Sequence, residues 1–440
     1  MKSTNLQVLL SISDENCYLC GRIHILKFID MKIITRKQYA QQLDSWIGKG
    51  LVIVLTGQRR IGKSYVLKDF IERHRQEAEA NIIYIDKEKV TFKSITDNDA
   101  LDCYVAEHFK DGMHNYILID EVQDIKGWEY SVRSYRTEER TDVVITGSNS
   151  KMLSGELSTL LAGRYVELRI QGLSYAEFLR FHELPDSDET LWKYLTYGGL
   201  PGLRNIGINH EEMVWDYLSG VYNTIMLKDI VERHKIRNIP FLKNLLAFMA
   251  DTIGKQNSAS SITKYMKSQG EEISNNVVLN YSAYFAEAFL TCNVSRYDVH
   301  GKKLLESVGK TYFNDIGIRN FIVGGERDKD IEKLMENAVY QHLVRLGYHV
   351  NVGALRAGEI DFVCTRAASN SKPQLPAKTY VQVSYVIAND ETHRREFGTL
   401  QNIPDSYPKY VISASPLLRS ADSEGVTHLQ LRNFLLNGFG

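Results

Sequence analysis

The chain has 440 residues, of which 43% are hydrophobic and 24% charged, and its formal net charge is −1. That length exceeds one ordinary core, so several globular domains are expected, and the near-neutral charge excludes a global basic field for nucleic acid or an anionic membrane. Five cysteines in so long a chain exclude a disulfide framework and fit a reducing cytoplasm, and no apolar run is long enough to span a bilayer.

In chain order, residues 1–30 hold a short apolar piece (6–12) followed by Asp14 and Glu15, without the cleavage site of a signal peptide. Cys17 and Cys20 have the spacing of half a zinc site, but the other cysteines stand alone. Five runs rich in β-branched and aliphatic residues follow, at 51–56, 82–86, 116–120, 143–146 and 165–170, separated by more polar stretches with helical periodicity. Apolar strands alternating with helices predict a parallel sheet covered on both faces, ending near Gly172. Residues 173–250 read as mainly helical, then come two short helices and a hairpin. After Gly324-Gly325 a helix (330–346) leads to strands around 348–352, 359–365 and 380–385, with a polar loop at 367–377. The fold class is α/β and multidomain. Its expected divisions are an extension (1–30), a sheet-based core (31–172), a helical segment (173–250), a fourth block (251–323) and a last one (324–440).

The first run leads into Gly57-Gln58-Arg59-Arg60-Ile61-Gly62-Lys63-Ser64, and a helical stretch (65–75) follows. A glycine-rich turn between strand and helix is the setting of a phosphate-binding loop. The glycines let backbone N–H groups turn inward around phosphates, and the helix N-terminus adds partial positive charge. Lys63 is placed for the β- and γ-phosphates of ATP, and the Ser64 hydroxyl for Mg²⁺. Arg59 and Arg60 occupy variable loop positions and read equally well as solvated charges. The third run ends in Asp120-Glu121, where Asp120 can hold Mg²⁺ through water and Glu121 can act as general base on the attacking water. The fourth runs into Gly147-Ser148-Asn149-Ser150. Ser148 or Asn149 there can sense the γ-phosphate or orient water, although small polar residues also suit a turn. Arg164, just before the fifth run, can neutralise charge on the γ-phosphate in cis, or in trans within a homo-oligomer. The plainer alternative is a surface arginine.

With these motifs in place, the chain resembles the AAA-type ATPases of bacteria and archaea that carry a C-terminal domain of unknown function. The carrying segments include LTGQRRIGKSYVLKDF, YILIDEVQDIKGWE, ITGSNSKMLSGELSTLLAGRYVELRIQGLSYAEFL, YLTYGGLPGL, YNTIMLKDIVERHKIRN and EIDFV, from Met31 onward. The resemblance implies an AAA-type core, a helical segment, a winged helix and a restriction-endonuclease-like domain. Because it starts at Met31, that methionine is expected to be the native initiator, with a regulatory arm using Cys17 and Cys20 as the alternative.

Residues 260–269 and 274–287 read as helices joined at Gly270, and 297–311 suits a β-wing around Gly301-Lys302-Lys303. On DNA, this winged helix would set Arg296, Lys302, Lys303 and Lys310 on phosphates. Its reading helix offers Asn275, Asn276 and Asn280 but no Arg or Lys, so a protein interface is equally open. A nuclease site of the implied last domain needs a helix acid, a strand Asp and a Glu-x-Lys. Glu336 and Asp361 fill the first two places, but Gln382-Val383-Ser384 stands at the third, so poor metal binding and no cleavage are expected. The leading expectation is a cytoplasmic, Mg²⁺-dependent ATPase whose nucleotide state governs how its C-terminal modules engage a protein or DNA partner. The alternatives are an ATP-dependent nuclease or DNA-binding protein, and a scaffold that holds nucleotide without turnover.

Overall fold

The computed structural model describes residues 33–150, 161, 163–301, 303–325, 328–355, 358–366, 377–387, 390–416, 422–423 and 425–440. The expectations for residues 1–30, Cys17, Cys20, Met31, Lys302 and nearly all of the 367–377 loop lie outside the described residues.

Each of the five apolar runs forms a strand: β1 (Val52–Thr56), β2 (Ala80–Asp86), β3 (His114–Asp120), β4 (Thr141–Gly147) and β5 (Tyr165–Arg169). They pair in parallel in the order β2-β3-β4-β1-β5. Helices α1 (Lys37–Trp46) and α2 (Lys63–His74) cover one face, α3 (Asn98–His108) and α4 (Trp128–Tyr135) the other. The central strands are mainly apolar because both their faces are buried, whereas edge strand β5 exposes Glu167 and Arg169. Ile53 and Leu55 of β1 join a core with Leu43, Leu67 and Phe70, while Val52 and Val54 join a second core with Leu101 and Val132.

The helical segment comprises α5 (Tyr175–His182), α6 (Asp188–Tyr197), α7 (Leu203–Ile206), α8 (Glu211–Thr224), a π-helix (Ile225–Glu232) and α9 (Ile239–Asp251). Glu177 closes a capping box with Ser174 at the start of α5. The same carboxylate takes a bidentate pair from Arg36 at 2.8 and 2.9 Å.

Beyond it lie β6 (Gln256–Asn257), α10 (Ala259–Ser268), α11 (Asn275–Glu287), β7 (Thr291–Asp298), β8 (Lys303–Phe313), α12 (Ile316–Ile322) and α13 (Ile331–Arg345). The chain closes with β9 (His349–Leu355), β10 (Gly358–Thr365), β11 (Lys378–Ser384), α14 (Asp390–Gln401), β12 (Lys409–Ser413), β13 (Asp422–Ser423), β14 (Val426–Gln430) and α15 (Leu431–Asn437). Nine of these strands form one sheet, in the order β13-β14-β12-β11-β10-β9-β7-β8-β6. Parallel pairing of β7 with β9, from Arg296 opposite Val352 to Asp298 opposite Ala354, carries the sheet across the boundary expected at 323/324. The last two blocks are thus joined through their backbones.

Side chains reinforce that joint. Lys310 of β8 is 4% exposed, and its Nζ lies 2.8 Å from Glu336, 2.7 Å from Glu359 and 3.0 Å from Asp361. The Tyr312 hydroxyl also donates to Glu336. Burial and the neighbouring Asp361 push the Glu336 carboxyl up, against the pull of the Lys310 ammonium. Lys310 is therefore spent inside the fold, which corrects the expectation that it serves DNA phosphates. Asn275, Asn276 and Asn280 are exposed, as expected of a helix face open to solvent. Removing one partner of a buried charge cluster costs about 3–5 kcal/mol. Lys310→Met is accordingly expected to lower the melting temperature by several degrees in scanning calorimetry, and adding Glu336→Gln should recover part of the loss.

Candidate functional site

The loop after β1 has the backbone that its glycines were expected to supply. Gly57 has φ +145°, and a Cβ there would sit 2.4 Å from the Ile170 carbonyl oxygen, so no other residue fits. Gly62 (φ +99°) stands immediately before α2. Lys63, the first residue of α2, is 4% exposed. Its Nζ donates to the carbonyls of Gly57 (3.1 Å) and Gln58 (3.2 Å) and lies 3.6 Å from Glu121. The ammonium is thus held at the centre of a ring of backbone.

β3 ends at Asp120, and Glu121 follows at φ +55°, a left-handed conformation that costs a non-glycine residue of order 1–3 kcal/mol. Thr146 of β4 fixes both acids: its hydroxyl donates to Asp120 (2.5 Å) and accepts the Glu121 N–H (2.9 Å). The Tyr84 hydroxyl donates to the other Asp120 oxygen at 3.2 Å, and Ser64 is hydrogen-bonded to the same carboxylate. The two acids sit in opposite electrostatic settings. Burial raises the Asp120 carboxyl, with Glu121 and Asp86 adding repulsion against the Thr146 and Ser64 hydrogen bonds. Burial also works on Glu121, but Lys63, the Gln123 amide and Arg59 outweigh it and hold that carboxyl below its usual range. A hydroxyl beside a carboxylate, with room for water, is a donor set that suits Mg²⁺, so Ser64 and Asp120 fit the cation expected with ATP.

A cavity of about 710 Å³ opens over the loop, lined among others by Arg59, Arg60, Lys63, Ser64 and Glu121. Gln58 (1% exposed) and Ile61 (1%) instead turn inward. Arg59 reaches Asp229 of the π-helix with both arms of its guanidinium, at 2.8 and 2.9 Å, so it is no solvated charge. Arg60, also at positive φ, remains half in solvent near Glu88. Ser148 and Asn149 are buried just past the end of β4, with Ser148 beside Glu121.

Arg164 is not brought to this cavity. It is exposed at the N-terminal edge of the sheet, where its carbonyl accepts the Val52 N–H at the start of β1. The length of β1, roughly 16 Å at 3.3 Å per residue, separates it from the loop. The expected cis role is thereby corrected.

Residues that the sequence reading did not assign complete the wall: Pro201 and Arg204 from the α6–α7 region and Tyr217 from α8. Gly198 and Gly199 set that crossing. The Gly199 N–H donates to buried Asp315 at 2.9 Å and its carbonyl accepts the Leu173 N–H at 2.6 Å. A Cβ on Gly198 would meet the Asp315 carboxylate at 2.6 Å. The run Gly198-Gly199-Leu200-Pro201-Gly202, a cluster of breakers inside a helical stretch, was the available signal.

Comparison with known proteins agrees with this geometry. Residues 49–179 match the family model of an AAA domain, and residues 188–329 that of a domain of unknown function, DUF8612. An uncharacterized protein of Haemophilus influenzae is 32% identical over 411 residues, spanning 92% of this chain and 99% of that protein. An uncharacterized protein of Methanocaldococcus jannaschii is 29% identical over 311 residues, spanning 68% of this chain and 67% of its own length. Among solved structures, a Walker-type ATPase of Pyrococcus abyssi gives a TM-score of 0.46 at 15% identity, covering 66% of this chain and 96% of that one. The chain belongs to the family of the Haemophilus influenzae protein, and its N-terminal block is a P-loop domain of the AAA type.

Proposed function

We propose that the chain hydrolyses ATP with Mg²⁺ and that its nucleotide state governs how the modules beyond the P-loop domain engage a partner. The observation that carries this reading is the opposite treatment of two adjacent carboxylates, Asp120 tied to Ser64 and Thr146, and Glu121 kept ionised beside Lys63. Mg²⁺ held by Ser64 and Asp120 would neutralise charge on the β- and γ-phosphates. Glu121 takes a proton from water as the water oxygen bonds to the γ-phosphorus, while the bridging P–O bond breaks and ADP leaves. The Lys63 ammonium answers the charge that develops there. Any role of Arg164 is then one in trans, from a second copy of the chain.

Residues 251–323 read as a winged helix and 324–440 as an endonuclease-like fold used for contact rather than cutting. Gln382 and Ser384 support that reading, as does Lys310 among the carboxylates where a metal would be needed. Both Asp361 oxygens are already engaged, one by Lys310 and the other by the Val383 N–H at 2.9 Å.

Lys63→Ala is expected to abolish triphosphate binding, measured by calorimetry with Mg²⁺-ATP. Glu121→Gln should retain binding and lose about 10²–10⁴-fold in kcat by phosphate release; turnover at the wild-type rate would reassign the base. Thr146→Val keeps the shape of the side chain but strips two hydrogen bonds from the acids. It should lower kcat by about tenfold, at about 1–3 kcal/mol for stranded polar groups, with ATP affinity little changed. Plasmid DNA incubated with Mg²⁺ or Mn²⁺ should stay intact, and cutting that Asp361→Ala abolishes would sink the non-nuclease reading.

A further inference from the structure

We propose that Arg59 is a nucleotide-state switch, its guanidinium contested by two anions: Asp229 of the π-helix and the terminal phosphate of ATP. Triphosphate in the loop draws Arg59 from Asp229 and loosens the π-helix, whereas diphosphate leaves the pair intact. The inference rests on the ATP reading above and names how that site is sensed.

Three observations converge. Arg59 is a residue of the phosphate loop itself, and it lines the same cavity as Lys63, Ser64 and Glu121. Its charge already acts on Glu121, the proposed base. Yet its hydrogen bonds go 170 residues along the chain, in a two-armed pair with Asp229 that is 2% exposed. A planar guanidinium matches a carboxylate or a phosphate equally well, so either anion can hold it in the same forked geometry.

The second anion's host is itself unusual. Residues 225–232 wind as a π-helix directly after α8, and such helices are rare and frequently found at functional sites. Ile225, Met226 and Ile230 anchor it in the core, while Thr224, Val221 and Tyr217, just before it, line the cavity. Beside that core, Asp229 ties this segment to the phosphate loop through its pair with Arg59. Onward it leads through α9 to the C-terminal modules. A change in the Arg59–Asp229 pair therefore has a continuous route from the phosphate to those modules.

The test compares the wild-type chain with Asp229→Asn, Arg59→Gln and Arg59→Lys, using fluorescent ATP and ADP analogues with Mg²⁺ and hydrogen exchange across 225–232. In the wild type, ATP should raise exchange in that segment and ADP should not. Asp229→Asn removes the competitor, so ATP should gain about tenfold over ADP, the scale of one charged hydrogen bond, and exchange should be high without nucleotide. Arg59→Gln should bring the two affinities together, with Arg59→Lys between. Taking the ratio within each variant cancels any general loss of stability. If Asp229→Asn and Arg59→Gln leave the ratio unchanged, or wild-type exchange does not distinguish ATP from ADP, the switch is overturned while the ATPase reading stands. A wild-type chain that binds neither nucleotide overturns both.

Discussion

The site exists because three parallel strands end on the same edge. β1 lies between β4 and β5, and β3 lies on the other side of β4, all running in one direction. The loop after β1, the acids after β3 and Thr146 near the end of β4 therefore emerge together, at the carboxyl ends where open α/β sheets bind ligands. Burial on both faces favours apolar residues along the central strands, while Asp120, Glu121 and Thr146 meet at this edge. Direction is as decisive as order. Arg164 enters β5 at the opposite edge, and its nearness in sequence to the other motifs counts for nothing across the length of a strand.

Once the edge is assembled, electrostatics sorts its residues. Asp120 and Glu121 are consecutive, but the sharp left-handed turn at Glu121 sends them to different neighbours. Asp120 sits among hydroxyls in a desolvated corner, and Glu121 sits against an ammonium. Lys63, kept by its own loop's carbonyls, is the charge that faces Glu121. A second node ties the domain to the rest of the chain. Burial raises the Glu177 carboxyl, but Arg36 and Arg345 outweigh it and hold it at about 2. Arg36 belongs to the start of the described chain and Arg345 to the end of α13 in the C-terminal block. Both also bond the Gly172 carbonyl, where the P-loop domain ends.

The five strands and their direction were legible because each is a short, continuous apolar run between helical stretches, and the loop because its glycines have a steric reason. Strand boundaries agree within two residues, since a strand begins and ends where burial does. Thr146 was passed over because a β-branched residue near the end of a strand looks like packing, and only the crossing hydrogen bonds reveal its role. Asp229 and Lys310 were illegible for a different reason. Each acts on partners far along the chain, and spacing along one element carries no trace of them. Arg164 misled because the sequence shows proximity in order but not which edge of a sheet a residue occupies. The shared nine-stranded sheet was hidden likewise: a parallel pairing of β7 with β9 across two helices leaves no periodic signal.

That shared sheet bears on how the C-terminal blocks are joined to the P-loop domain. With β7 and β8 hydrogen-bonded into the C-terminal sheet, and Lys310 holding Glu336, Glu359 and Asp361 together, residues from 291 onward offer little freedom between hairpin and last domain. The P-loop domain shares one apolar core with the segments that follow it, and several of its polar contacts with them are made by individual side chains. Gln58 shares a cavity of about 10 Å³, room for one water, with Arg169, Phe289 and Asn314. Arg169 at the end of β5 donates to Asn314 at 3.1 Å. Arg59, the next residue of the loop, faces the other way to Asp229. Successive residues of this loop thus turn to opposite sides, Gln58 toward the Arg169–Asn314 contact beside the hairpin and Arg59 toward the helical segment. On the ATP reading proposed above, a phosphate gripped by that loop's backbone would shift both of these residues at once, and a partner bound far along the chain would feel the shift without touching the nucleotide.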